Sequence, residues 1–132
     1  MKQLIYHSQP FGFDKAMLAG ILSQARRNNR RDDITGALIC RGDMYIQLIE
    51  GPETAIDTLF EKIRVDDRHC DVRLALSDQV GERMFPNWAM LDDEMPSMTW
   101  SKQEIADGAI EKATPEMLRD VFERVAAKAA RG

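Results

Sequence analysis

With 132 residues, 18 basic and 22 acidic side chains and a formal net charge of −4, the chain fits a single domain able to bury a core without staples. The acidic balance argues against non-specific binding to nucleic acid or anionic membrane. No apolar run approaches the roughly 18 residues that span a bilayer, and "MKQLIYHSQP" lacks a signal-peptide core, so a cytoplasmic protein is expected.

The first segment, Lys2 to Ser8, alternates as a strand and ends in "SQPFGFD", where Pro10 and Gly12 mark a turn. Asp14 then caps a helix whose apolar stripe is Leu18, Ile21, Leu22 and Ala25, spaced i, i+3, i+4, i+7. The series continues into Asn28 and Asn29; at about 100° per residue Asn29 lies within roughly 20° of Leu18 around the axis, so the buried stripe ends in carboxamides. Arg26, Arg27, Arg30 and Arg31 cluster around this end.

Ile34 to Arg41 and Asp43 to Glu50 read as a hairpin about "RGD". In its second strand Met44, Ile46 and Leu48 share one face and Tyr45, Gln47 and Ile49 the other, so both faces look buried and Gln47 carries an amide into one of them. An unpartnered buried amide costs about 1–3 kcal/mol, so either the protein satisfies Gln47 or a bound molecule does. Gly51 and Pro52 open a second helix with the stripe Ile56, Leu59, Phe60 and Ile63, closed by "VDDRHC". Cys70 to Ser77 and Arg83 to Leu91 read as two further strands joined through Gly81. Cys40 and Cys70 are too few and too widely spaced for a zinc motif and sit in apolar stretches, which predicts reduced core thiols. The order βαββαββ predicts an α+β ferredoxin-like sandwich with both helices on one sheet face.

The tail carries a capping box at Ser101 to Glu104 and a capping Thr114 followed by Pro115, which predicts two additional C-terminal helices. The second has the stripe Leu118, Val121, Phe122, Val125 and Ala129, which must bury itself on the helix-free sheet face or on a second copy of the chain. The sheet and its two long helices are expected within residues 1–95, with 96–132 a helical extension of the same domain.

Tyr6 shares the Leu4 face of the first strand, and Trp88 and Met90 share a face of the fifth. Together with Gln47, Asn28 and Asn29, the phenol suits the edge of a planar heterocycle, whose carbonyls and ring nitrogens want donors and acceptors in fixed positions. At these residues the sequence resembles the BLUF family, blue-light sensors that use flavin adenine dinucleotide (FAD). The resemblance is carried, from Leu4 to about Met90, by "LIYHS", "ILSQARRNN", "DDITGALI", "YIQLIEG", "IRVDDRH" and "RMFPNWAM".

The resemblance implies noncovalent FAD with its ring between the two helices, sandwiched by Ile21 and Ile63. It implies that Asn29 and Asn28 bond the polar edge, that Arg68, Asp66 and His69 complete the surroundings, and that Gln47 bridges Tyr6 and the flavin. Light would leave Gln47 rearranged, with Trp88 and Met90 passing the change to strand five and the tail. No metal and no catalytic residue is expected, and the output would be a separate effector protein or a homo-oligomer. The arginine cluster either serves the pyrophosphate or is a solvated cationic face. Two rivals remain. One is an acylphosphatase-like hydrolase using Arg68 and Asn29; the other is a flavin-free ligand-sensing or dimerisation domain.

Overall fold

The computed structural model describes residues 1–10, 15–41, 44–65, 69–86, 91–93 and 114–131. Strand-forming alternation produces β1 (Lys2–Pro10), β2 (Thr35–Arg41), β3 (Met44–Gly51), β4 (His69–Gln79) and β5 (Leu91–Asp93). Between and after them lie α1 (Lys15–Asp32), α2 (Glu53–Arg64) and α3 (Pro115–Arg131). The five strands form one sheet in the order β4-β1-β3-β2-β5. Neighbours are antiparallel except β5, which runs parallel to β2. The crossovers β1-α1-β2 and β3-α2-β4 each skip one strand and lay both helices on one face, as an α+β ferredoxin-like fold requires.

Period-two alternation divides the core into two layers. On the α1/α2 side Leu4, Leu38, Tyr45 and Ile49 of the sheet meet Leu22, Ile56, Leu59, Phe60 and Ile63. On the other side Ile5, Ala37, Ile39, Ile46 and Leu48 meet Leu118, Val121, Phe122 and Val125 of α3. Leu118, Val121, Phe122 and Val125 of the apolar stripe are thus covered by the chain's own helix-free sheet face, while the side chain of Ala129 lies outside the described residues. Thr114 caps that helix, its Oγ1 accepting the Met117 amide at 3.2 Å. Phe122 is fully buried and meets Phe85 edge-on, with ring centroids 6.3 Å apart. Near the start of the same helix, Arg119 donates to Asp78 of β4 at 3.1 Å.

The end of α1 is locked by its backbone. Asp33 takes the left-handed conformation (φ 59°), and the Ile34 amide donates to the Asn29 carbonyl at 2.8 Å, the six-to-one bond of a Schellman motif. Arg83 grips the same corner, donating to the Asp33 carbonyl at 2.7 Å and pairing with its carboxylate at 3.1 Å.

One predicted strand is corrected. Arg83 to Pro86 does not extend as a strand; the amides of Met84 and Phe85 donate instead to the Glu50 carboxylate, at 2.8 and 2.7 Å. A side chain from β3 therefore takes the donors that a ladder would have used. The fifth strand is shorter and later, Leu91–Asp93. The helix predicted from the Ser101 capping box lies outside the described residues. Among the described residues, no helix is long and apolar enough to cross a membrane.

Phe122→Ala is expected to destabilise the protein by about 3–5 kcal/mol in urea unfolding, the usual cost of emptying a buried aromatic site; an unchanged midpoint would place α3 elsewhere. Arg119, by its hydrogen bond, and the Gln79 amide hold the Asp78 carboxyl below its ordinary value. Their contribution is present above the unfolded carboxyl's pKa of about 3.9 and is lost as pH falls through the lowered folded value. In urea unfolding followed against pH, Asp78→Asn should therefore lower the neutral plateau and make the acid limb shallower.

Candidate functional site

Tyr6 and Gln47 are directly opposite each other in the β1–β3 register. Both project to the α1/α2 side, where they are 4% and 9% exposed. The Tyr6 hydroxyl donates to Gln47 Oε1. Phe60 of α2 packs against the phenol ring, with centroids 5.7 Å apart and planes at 57°. The buried amide therefore has a protein partner for its oxygen end, and the partner is the tyrosine that the family resemblance implied.

Asn29 is 1% exposed, in the last turns of α1, and its carbonyl accepts the Ile34 bond that fixes the helix end. One residue earlier, Asn28 lines a groove of about 340 Å³ between α1 and α2. Ile63, half-buried in the last turn of α2, packs against the same core layer. Ile21 lies in α1 and His69 begins β4, but their side chains lie outside the described residues. Asp66, Arg68, Trp88 and Met90 also lie outside them.

Besides Arg31, already placed in the arginine cluster, the groove contains polar side chains that the sequence does not single out. Arg31 and Asp32 contribute from α1, and Thr54, Thr58 and Lys62 from α2. A signal was available: Thr54, Thr58 and Lys62 recur at i, i+4, i+8, a polar stripe beside the apolar one. The arginine cluster divides. Arg31 lines the groove and pairs with Asp32 at 3.1 Å, whereas Ser23, Arg26, Arg27 and Arg30 line a separate depression of about 450 Å³. At about 100° per residue, that depression opens on the opposite flank of α1 from Asn28.

These features fit a flat, polar-edged ring. Gln47 and Asn29 place two carboxamides at the buried side of the helix layer; each offers a carbonyl acceptor and an NH₂ donor. Ile63, Leu59 and Phe60 supply an apolar wall. Arg31 and Lys62 bring positive charge to the groove, where a phosphate-bearing tail could leave the protein.

Comparison with known proteins agrees with this geometry. A family model described as "Sensors of blue-light using FAD" matches residues 1–91. Photoactivated adenylate cyclase subunit beta of Euglena gracilis is 35% identical over 74 residues, which is 55% of this chain and 9% of that protein. The chain thus spans less than a tenth of that relative's length. The dark-state structure of BlrB, a BLUF protein, matches with a TM-score of 0.80 at 28% identity and covers 96% of both chains. Klebsiella pneumoniae BlrP1, solved with FMN and cyclic diGMP, matches with a TM-score of 0.68 at 31% identity over 89% of this chain and 29% of that one. A phenol and a carboxamide paired beneath two helices, in a chain matched over most of its length, make this protein a member of the BLUF family, whose cofactor is FAD.

Proposed function

We propose that this chain is a blue-light receptor rather than an enzyme. In this reading it holds FAD noncovalently between α1 and α2, switches through Tyr6 and Gln47, and signals to a separate effector protein in the cytoplasm. The observation that carries the reading is the buried hydrogen bond from the Tyr6 hydroxyl to Gln47 Oε1. Residues 1–95 would be the sensing unit and 96–132 its helical extension. Neither the hydrolase nor the flavin-free reading accounts for that pair.

When bound, the flavin supplies the absorption of blue light and an edge of carbonyls and ring nitrogens. Asn29 and Gln47 would hold that edge with Asn28 beside them. Ile21 and Ile63 would flank the ring, and Asp66, Arg68 and His69 would complete the polar surroundings. The ends of the Gln47 amide are inequivalent. With Oε1 accepting from Tyr6, Nε2 donates elsewhere; with the amide turned over, or its proton shifted, Tyr6 meets the other end and every neighbouring bond must be re-paired. Such a change can bias a two-state element by about 1–3 kcal/mol. Trp88 and Met90, just before β5, would carry it outward. The sequence motive for a homo-oligomer was the α3 stripe. That stripe is buried within the chain, so an assembly would have to use another surface.

The purified protein should be yellow, and blue light should move its visible absorption slightly to the red, reversibly in the dark. A chain that stays colourless after refolding with excess FAD would refute the reading. Tyr6→Phe and Gln47→Leu should each retain flavin and lose the normal shift, because each removes one side of the hydrogen bond while the apolar wall remains; a wild-type photocycle in Gln47→Leu would rule out the switch. Asn29→Ala should weaken flavin binding by about 1–3 kcal/mol, roughly fivefold to 150-fold in Kd by fluorescence titration.

A further inference from the structure

Glu50 lies three residues beyond Gln47 on β3 and, by alternation, on the opposite face of the sheet. It is fully buried. Its Oε1 accepts from Gln3 Nε2 at 3.3 Å and from the Met84 amide at 2.8 Å. Its Oε2 accepts from Thr35 Oγ1 at 3.1 Å and from the Phe85 amide at 2.7 Å. Four donors thus meet the roughly four lone-pair sites that a carboxylate offers. They come from β1, β2 and the turn after β4.

Two routes lead from this carboxylate to α3. Gln3, held by its Nε2, accepts at Oε1 from Arg119 of α3 at 3.3 Å. Phe85, held by its amide, packs edge-on against Phe122. Arg83 straps the same turn to β2 and to the end of α1, donating to Thr35 Oγ1 at 2.9 Å, to the Glu50 carbonyl at 3.3 Å and to the Asp33 carbonyl at 2.7 Å. In sequence, Trp88 and Met90 follow Phe85 by three and five residues. Moving any one donor leaves part of a buried carboxylate unsatisfied, so the cluster favours shifting as a unit.

We propose that Glu50 is the positioning residue that joins the strand carrying Gln47 to α3 and to the turn leading to Trp88 and Met90. A rearrangement on the Tyr6–Gln47 face then reaches the opposite face through this one carboxylate. The proposal rests on the blue-light reading above. Glu50 itself lies on the far side of the sheet from the flavin residues, so it holds the outlet and leaves the light-driven step alone.

The test compares light and dark forms of the FAD-loaded full chain by absorption and by hydrogen exchange across residues 83–86 and 115–127. The wild type should show the red shift together with a light-dependent change in exchange in both segments. Glu50→Gln puts an NH₂ group against donors at one end; it should keep the red shift and lose both exchange differences. Thr35→Val, which keeps the shape while removing one donor and the acceptor of Arg83, should keep the shift and at least halve both differences, so it decides the matter if Glu50→Gln does not fold. A purely structural role would lower stability in either variant and leave the light-minus-dark differences intact. That outcome overturns the proposal, as does a wild type whose absorption shifts with no exchange change in either segment. A wild type that binds FAD without any shift overturns the blue-light reading and the proposal with it.

Discussion

The register between β1 and β3 is the constraint on which the rest of the molecule depends. It sets Tyr6 against Gln47 and Gln3 against Glu50. Because side chains alternate across a sheet, slipping this pairing by one residue would put Tyr6 and Gln47 on opposite faces and part Gln3 from Glu50. Neither the phenol–amide bond nor the carboxylate cluster can form in another register. The register is in turn enforced from both sides, since Leu4 and Ile49 serve one core layer while Ile5, Ile46 and Leu48 serve the other. A strand buried on both faces has no polar side on which an error would be cheap.

Around that central pair, the site is assembled from the ends of helices. Asn29 stands where α1 stops, and the stop itself consists of a left-handed Asp33, an Asn29-to-Ile34 bond and the Arg83 grip. Ile63 and Lys62 belong to the last turn of α2. Helix ends leave backbone groups to be satisfied, and here the groups that satisfy them also fix the position of the side chains proposed to bind the flavin. Much of the local order thus comes from capping, while the core packing holds each helix layer against the sheet.

The layer assignment, the two long helices and the inward amides were legible because each depends on short-range periodicity: alternation for Gln47, a 3.6-residue stripe for Asn29, Thr114 followed by Pro115 for α3. The buried pair of Tyr6 and Gln47 was legible only through the family resemblance, since nothing local sets the register of strands 41 residues apart, the separation of this bond. Arg83 to Pro86 misled for the same reason. "RMFP" opens an apolar run that reads like a strand, and only a carboxylate 34 and 35 residues earlier in the chain diverts its amides. Glu50 itself looked like the last residue of a strand. Lys62 and Thr58 were hidden by attention to the apolar stripe beside them, and the arginine cluster could not be divided until the helix had a partner to define its flanks.

The pairing of β4 with β1 is irregular, with register shifts between Ile5 and Tyr6 and again between His7 and Gln9. β4 is an eleven-residue strand at the sheet's margin. A flat margin of that length, with Leu74 49% exposed, would invite another extended chain to add itself. The interruptions twist the strand away from flatness, and Arg73 and Asp78 leave exposed charge along it. One interruption falls directly beside Tyr6, so the strand that carries the phenol is also the one whose margin-strand pairing is broken. Addition of a further extended chain is thereby disfavoured beside the very strand that carries the proposed switch.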